Sequence, residues 1–314
     1  MLEPTDSGVQ DRWRALWASS PQRSPFSRLE YVRALGDATG LRVGVHFSEG
    51  AGAAVTWRRR GPFREVVLPP LTPFSALLLE AHPRDSDVHA RTSALETILE
   101  LLEREYDGVH LHLPPSIPDV RAAQWRGWTA TPLYTYCATE SGPDGWSAGT
   151  ARTYRAGRDD YELVEGTEAA GAAARFVAAS YGRRDRALPL DERSIPALVE
   201  RLKEAGLATS FAVRFKASSQ MHAGIVLLRA ETDSNAYYWI AGSRPGSGMT
   251  VLIGEVLAHL FRSGVETFDF VGANTPSIAE FKRRFAGRLV PYFRLIRYDR
   301  RELKILHIFR KMLR

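Results

Sequence analysis

The stretch Phe268–Gly287, FDFVGANTPSIAEFKRRFAG, decides how this chain folds. Phe268 and Phe270 alternate with Asp269, so a strand here sends the two rings to one face of a sheet and the carboxylate to the other. Gly272 and Pro276 break that strand and open a helix. The helix carries Phe281 and Lys282, then Arg283 and Arg284. Strand, short loop and helix is the crossover step of an α/β sheet. A core helix does not need so much positive charge near a strand end, whereas a site for an anionic substrate does.

Working outward, the strand LVPYFRLIRYD follows this helix. Before it the pattern predicts the strand DYELVEG, helices at EAAGAAARFVAASYG and DERSIPALVERLKEAG, and three strands, TSFAVRFKA, HAGIVLLRA and AYYWIAG. The helix MTVLIGEVLAHLFRSG then leads into VETFDFVG. The first half repeats much of this order. A helix at RLEYVRALGDATG precedes strands RVGVHFSE, AAVTWRRR and REVVLPP, then a helix at ARTSALETILELLEREY and the strand GVHLHLP. A helix at PDVRAAQWRG and the strand PLYTYCATE complete it. Laying Leu113 over Phe270 without a gap puts His112 on Asp269, and Gln124 and Trp125 on Phe281 and Lys282. Identity is slight, but the order agrees, which points to an internally duplicated α/β unit with mixed sheets. Such sheets are antiparallel at their start and parallel where helices cross over. The segment SGPDGWSAGT, 141–150, is the linker candidate, giving domains at 1–145 and 146–314.

The bulk numbers fit this reading. A chain of 314 residues, 44% hydrophobic and 25% charged, has the length of two soluble domains and the material for real cores. Cys137 is the single cysteine, so no intrachain disulfide forms and a reducing cytosol is the expected compartment. The N-terminus shows no basic and apolar leader pattern. The longest apolar run, MTVLIGEVLAHLF, is interrupted by Glu255 and His259 and falls short of the ~20 residues of a membrane span. The net charge of +6 is uneven: from Lys282 to Arg314 there are twelve Lys or Arg against Asp299 and Glu302. That basic end points to phosphate, RNA or an anionic membrane, or else to a solvated face.

Helices, an antiparallel three-strand meander, then helix, strand, helix, strand: this order resembles the GNAT acyltransferase fold. Two such units ending in the Asp269, Phe281-Lys282, Gly287 pattern resemble the Fem family, the peptidoglycan aminoacyl transferases and their acyl-CoA-related cousins. ARTYRAGRDD, 151–160, is similar to that family's arginine-rich run. The resemblance implies acyl or aminoacyl transfer to an amine, with acyl-CoA or aminoacyl-tRNA as co-substrate and no permanently bound cofactor. It places Lys282 and Phe281 by the transferred acyl group and the acceptor, and it implies that Thr72 and Phe74, in VVLPPLTPFSALLL, border an acceptor groove. Nothing between 185 and 210 is long enough for the helical hairpin arm of some tRNA-using relatives, which favours a small donor.

The residues themselves support several of these roles. In AYYWIAGSRPGSGMTVLIGEVL a strand runs through Ser243-Arg244-Pro245-Gly246-Ser247-Gly248 into a helix. Glycines let backbone N–H groups approach a ligand, and the helix end adds about half a positive charge, so a pyrophosphate fits there. The loop is similar to the coenzyme A loop of GNAT enzymes, with Ser243 where Gln or Arg is usual; a glycine-rich helix cap is the plainer alternative. A fixed cation such as Lys282 near a developing oxyanion is worth ~3 kcal/mol, about a hundredfold in rate. The first half has Trp125 there and lacks that charge. Arg152, Arg155 and Arg158 share one helix face, and Arg183, Arg184 and Arg186 follow; guanidinium forks suit phosphate and carboxylate on a small-molecule or cell-envelope acceptor. Asp269, Tyr238 and His222 are the general-base candidates, although Asp269 also suits a structural anchor. His110 and His112 lie on one strand face without carboxylate or thiol neighbours, so no metal site is expected. The tail RRELKILHIFRKMLR reads as a basic, apolar helix that docks on the protein or, through 301–314, lies on an anionic membrane.

Overall fold

The computed structural model describes all residues except 82–87, 141, 184–187, 189, 231–232 and 300–314. The proposed membrane helix at 301–314, together with Arg184 and Arg186, lies outside the described residues. The elements run α1 (Ser7–Ser19), α2 (Leu29–Thr39), β1 (Arg42–Ser48), β2 (Ala51–Arg60), β3 (Phe63–Val66), β4 (Ala76–Leu79), α3 (Val88–Glu105), β5 (Gly108–Leu113), α4 (Arg121–Trp125) and β6 (Thr129–Ala138). They continue with α5 (Ala148–Gly157), β7 (Tyr161–Glu165), α6 (Thr167–Gly182), α7 (Ser194–Glu204), β8 (Ala208–Phe215), β9 (Gln220–Leu228) and β10 (Asn235–Ser243). The last are α8 (Gly248–Arg262), β11 (Thr267–Asp269), α9 (Pro276–Arg283) and β12 (Arg288–Tyr298). Mixed α/β architecture stands as expected. Helix α1 and strand β4 are additions that the sequence pattern did not reveal.

The chain divides into two compact units, but not at the expected 145/146 boundary. Among the described residues unit 1 is Met1–Leu133 with Pro291–Asp299, and unit 2 is Tyr134–Val290. The cause is strand pairing. The end of β6 pairs antiparallel with β11, Cys137 against Asp269 and Ala138 against Phe268. The end of β12 pairs antiparallel with β5, Phe293 against Leu113 through Tyr298 against Gly108. Each half of the sequence thus gives its last strand to the other unit. The supposed linker is also structural: Trp146 is buried and packs edge-on against Tyr154 and Phe285 in the unit 2 core, with ring centres 5.4 and 5.1 Å away.

In unit 2 the strand order is β7-β8-β9-β10-β11, then the end of β6. Alternation along β8 sends Ala212 toward α6 and Phe211 and Val213 into the larger core with α8. Helix α6 is rich in alanine and lies close to the sheet. At Gly242 an added Cβ would come within 2.4–2.5 Å of backbone atoms of Phe176 and Val177, so only glycine lets this helix and strand approach so closely. Helix α8 buries Met249, Val251, Leu252, Ile253, Val256, Leu257 and Leu260.

In unit 1 the order is β1-β2-β3-β5, then the end of β12, while β4 pairs β2. Leu95, Ile98, Leu99 and Leu102 of α3, at helical spacing, cover Val55, Trp57, Val109, Leu111 and Leu113 of the sheet. Trp13 and Trp17 of α1 are buried, and both indole N–H groups find oxygen acceptors around Ser24 and Ser27.

Candidate functional site

The site in unit 2 begins where two strands part. β10 and β11 pair in parallel for three residues only, Asn235, Ala236 and Tyr237 against Thr267, Phe268 and Asp269. β11 then ends, while β10 runs on to Ser243 with β9 alone paired to it among the described residues. A register shift in the β9 ladder between Tyr238 and Ile240 adds a bulge at the same point. The result is a fork: one side of β10 offers backbone groups from Tyr238 to Ser243 that β11 does not use.

Lys282 sits in this fork. Its side chain comes from α9 and is 6% exposed, so it is not a surface lysine. The ammonium donates to the carbonyl oxygens of Phe270 and Gly272, both at 2.7 Å, and to that of Val271 between them. It also lies 5.2 Å from the ring centre of Tyr238 on β10. An ammonium has three N–H donors, and three carbonyls take them. In this arrangement all three protons of the ammonium are directed at backbone carbonyls rather than at the expected oxyanion position. Burial pulls its pKa down to about 8, opposed by the negative charge of Asp269, so the amine is charged at neutral pH.

Asp269 is buried on the opposite face of the strand, as the alternation predicted. Its Oδ1 accepts from the Val271 N–H at 2.7 Å and from the Thr135 hydroxyl. Burial pushes its pKa up, against these hydrogen bonds, the Lys282 charge and the Cys137 thiol. Desolvation pushes the Cys137 thiol up as well, beside that carboxylate. Asp269 has the surroundings of an anchor for the turn after β11 rather than of a group open to substrate. Phe281 packs edge-on against Phe285, 5.2 Å between ring centres, at the border of the unit 2 core.

The glycine loop lies at the far end of β10, about 16 Å from Tyr238 at ~3.3 Å per residue. Ser243 closes the strand and its carbonyl accepts from Arg183 at 3.2 Å. The Arg244 amide donates to the His222 carbonyl at 2.9 Å, and its guanidinium turns to Gln220 at 2.9 Å. Arg244, Pro245 and Gly246 are exposed. Gly246 takes φ 123°, a conformation that suits glycine. Ser247 is the N-cap of α8, but its hydroxyl does not cap the helix; it lies 3.2 Å from the Tyr161 hydroxyl, which is 3.2 Å from His222 Nδ1. Burial, then the charge of Arg244, lowers the His222 pKa. At Gly248 an added Cβ would sit 2.9 Å from the His222 Cβ, so the loop needs a bare position there. Tyr161 carries no motif that marks it in the sequence, and neither does Thr135; each meets its partner only through strand pairing.

The arginines stand apart. Arg152 and Arg155 are exposed on α5 and line a wide, open depression with Pro143, Asp144, Trp146, Ala148 and Ala151. Arg155 pairs with Asp144 at 2.7 Å. Arg158 leaves the α-helical register and lies 5.8 Å over the Tyr154 ring.

Thr72 and Phe74 belong to unit 1. Phe74 is 2% exposed and stacks edge-on with Phe26 and Tyr292, so the groove role is corrected: the ring fills a core. The Thr72 hydroxyl lies 3.1 Å from that of Tyr31 and lines a cavity of about 20 Å³, room for one water. His112 is tied to the Pro73 carbonyl at 3.0 Å. Among the described residues no group of three or more His, Cys, Asp or Glu could hold a metal ion.

Residues 148–283 match the family described as acetyltransferase (GNAT) domain. The segment covers the arginine run, the glycine loop, the fork and Lys282. No curated protein matches the chain in sequence. Among solved structures, FemX superposes with a TM-score of 0.68 at 10% identity, covering 90% of this chain and 95% of that one. The L-PGS of Bacillus licheniformis gives 0.59 at 12% identity over 100% and 98%. A tandem GNAT protein from the clavulanic acid biosynthesis pathway gives 0.54 at 15% identity over 94% and 96%. These similarities establish a fold. Residues 148–283 thus match a GNAT acetyltransferase domain, and the chain shares the fold of FemX and of a tandem GNAT protein.

Proposed function

We propose that unit 2 transfers an acyl group from acyl-CoA to the amine of an anionic acceptor. The observation that carries this reading is the fork: β10 pairs with β11 only through Tyr237 and runs on, paired with β9, into the Ser243–Gly248 loop and the α8 N-terminus. The donor's pantetheine arm lies along β10 as an added strand, its amides taking up backbone groups that β11 leaves. Its pyrophosphate meets the amides of Gly246, Ser247 and Gly248 and the positive end of α8. Ser243 and Arg244 shape the loop rather than reach the ligand, since Arg244 is held by Gln220 and His222. The thioester then sits beside Tyr238, and the neutral amine attacks its carbonyl carbon; the C–S bond breaks, and the proton lost by the nitrogen ends on the leaving thiolate, giving the amide and free coenzyme A. Backbone amides of β10, fixed before reaction, stabilise the oxyanion. Arg152 and Arg155 hold an acidic group of the acceptor, a small molecule or a cell-envelope precursor. FemX and L-PGS as structural neighbours favour the second, and they keep aminoacyl-tRNA as the rival donor.

The test mixes the full chain with acetyl-CoA, longer acyl-CoAs and aminoacyl-tRNA and follows thermal unfolding. Binding at a hundred times Kd stabilises by about 2.7 kcal/mol, which is several degrees for a protein of this size. A rise with one acyl-CoA supports the reading and identifies its chain length. No rise with any coenzyme A thioester at millimolar concentration removes it, and a rise with aminoacyl-tRNA alone replaces it.

A further inference from the structure

The turn after β11 has an unusual backbone. Val271 takes φ 51° and Gly272 φ 66°, two left-handed residues in succession. Glycine does this readily, but a β-branched valine there is a genuine outlier. The surroundings determine it several times over. Phe270 N–H donates to the Tyr136 carbonyl at 2.9 Å, Ala273 N–H to that of Tyr134 at 2.6 Å, and Val271 N–H to Asp269 at 2.7 Å. The conformation turns three successive carbonyl oxygens, those of Phe270, Val271 and Gly272, toward one point. Three carbonyl dipoles aimed together repel unless a cation stands between them. The Lys282 ammonium is that cation, and its other neighbour is the Tyr238 ring on the far side of the fork.

We infer that Lys282 is a positioning residue, an internal cation that fixes the left-handed Val271–Gly272 turn against β10 and so sets the width of the fork. It acts through the backbone of that turn and not on the reacting atoms. Strain at a turn of this kind persists only where it is held, and here it borders the place where the strands separate. The shape of the acyl end of the cleft therefore depends on a lysine that never touches the acyl group. This statement rests on the proposed donor site for its functional part alone; the clamp itself is a property of the free protein.

Four full-length variants test it: Lys282→Met, Lys282→Arg, Val271→Gly and the double variant Lys282→Met with Val271→Gly. The readouts are amide hydrogen exchange over 268–275, thermal unfolding, and acetyl-CoA affinity. Lys282→Met should speed exchange in that segment at least tenfold and weaken acetyl-CoA binding. Glycine at 271 removes the strain that the clamp opposes, so the double variant should recover much of the loss and lie well above the sum of the single changes. An oxyanion or substrate contact would show no such rescue. Additive effects, or unchanged exchange in Lys282→Met, overturn the inference. If Lys282→Met does not fold, Lys282→Arg carries the comparison: a planar fork cannot aim three N–H groups at converging carbonyls, so exchange should rise and Val271→Gly should again offset it. Should acetyl-CoA bind none of the proteins, the donor proposal fails while the exchange data still decide the clamp.

Discussion

The two units share a run of antiparallel meander, helix, strand and helix but treat one strand of it differently. In unit 2, β10 is a single strand of nine residues that reaches the glycine loop. In unit 1 the corresponding strand is cut. β3 pairs with Trp57–Arg60 of β2, and β4 pairs with Ala51–Ala54 of the same strand, so the chain leaves the sheet after Val67 and returns at Ala76. β3 and β5 pair in parallel for two residues, a second fork. Here the excursion fills it. Ser75 N–H donates to the His112 carbonyl at 2.7 Å, His112 N–H to the Ser75 hydroxyl at 2.9 Å, and Phe74 is packed in the core. One copy fills its fork with its own excursion, while in the other β10 continues past the end of β11 to the glycine loop. A duplicated scaffold can thus keep its fold while the strand next to the matching crossover differs between the halves.

The sharpest break of that comparison is at the matched positions Lys282 and Trp125. Lys282→Met leaves three carbonyls without their donor, a loss on the scale of ~1–3 kcal/mol for each unsatisfied group, so several kcal/mol at most. Trp125, 67% exposed on α4, should change stability by less than ~0.5 kcal/mol when replaced by alanine. Urea unfolding of both variants checks this; equal losses would deny the asymmetry.

Acid should separate the units next. His46 hydrogen-bonds Tyr106 at 2.9 Å, and burial, with the positive N-terminus, lowers its pKa to about 4; burial lowers His112 to about 4 as well, against its Pro73 hydrogen bond. A histidine depressed in the fold binds its proton first in the unfolded chain, so unfolding is favoured as pH falls. The stability from both neutral rings is complete above about pH 6.5 and lost toward about pH 4, up to ~3 kcal/mol for His46 and less for the half-buried His112. Hydrogen exchange at pH 7 and pH 5 should show unit 1 loosening first; loosening confined to unit 2 would contradict it.

The smallest expected effect is local. Gly248→Val puts a branched side chain against His222 at the α8 N-terminus, and acetyl-CoA affinity should fall about tenfold, ~1.4 kcal/mol, by calorimetry. Unchanged affinity would move the phosphates away from this loop.

Much of this was written in the sequence. Alternation of Phe268, Asp269 and Phe270 gave the strand and the facing of each side chain, because a side chain's direction in a strand follows its position. Glycines and helical periodicity gave the loop and α8 for the same local reason. The overlay of Leu113 on Phe270 gave the duplication. That the Lys282 ammonium is buried against three backbone carbonyls was not legible. The strand exchange of β6 and β12, the partnership of Thr135 with Asp269 and the filling of the unit 1 fork were not legible.

The amino-acid order alone determined the elements, their succession and which residues face which way, since these follow from short-range sterics and periodic burial. The tertiary structure decided that Lys282 spends its charge on three carbonyls, that Phe74 is core, and that β10 outruns β11. Those outcomes depend on groups far apart in the chain meeting at distances of a few ångströms, which no local pattern encodes.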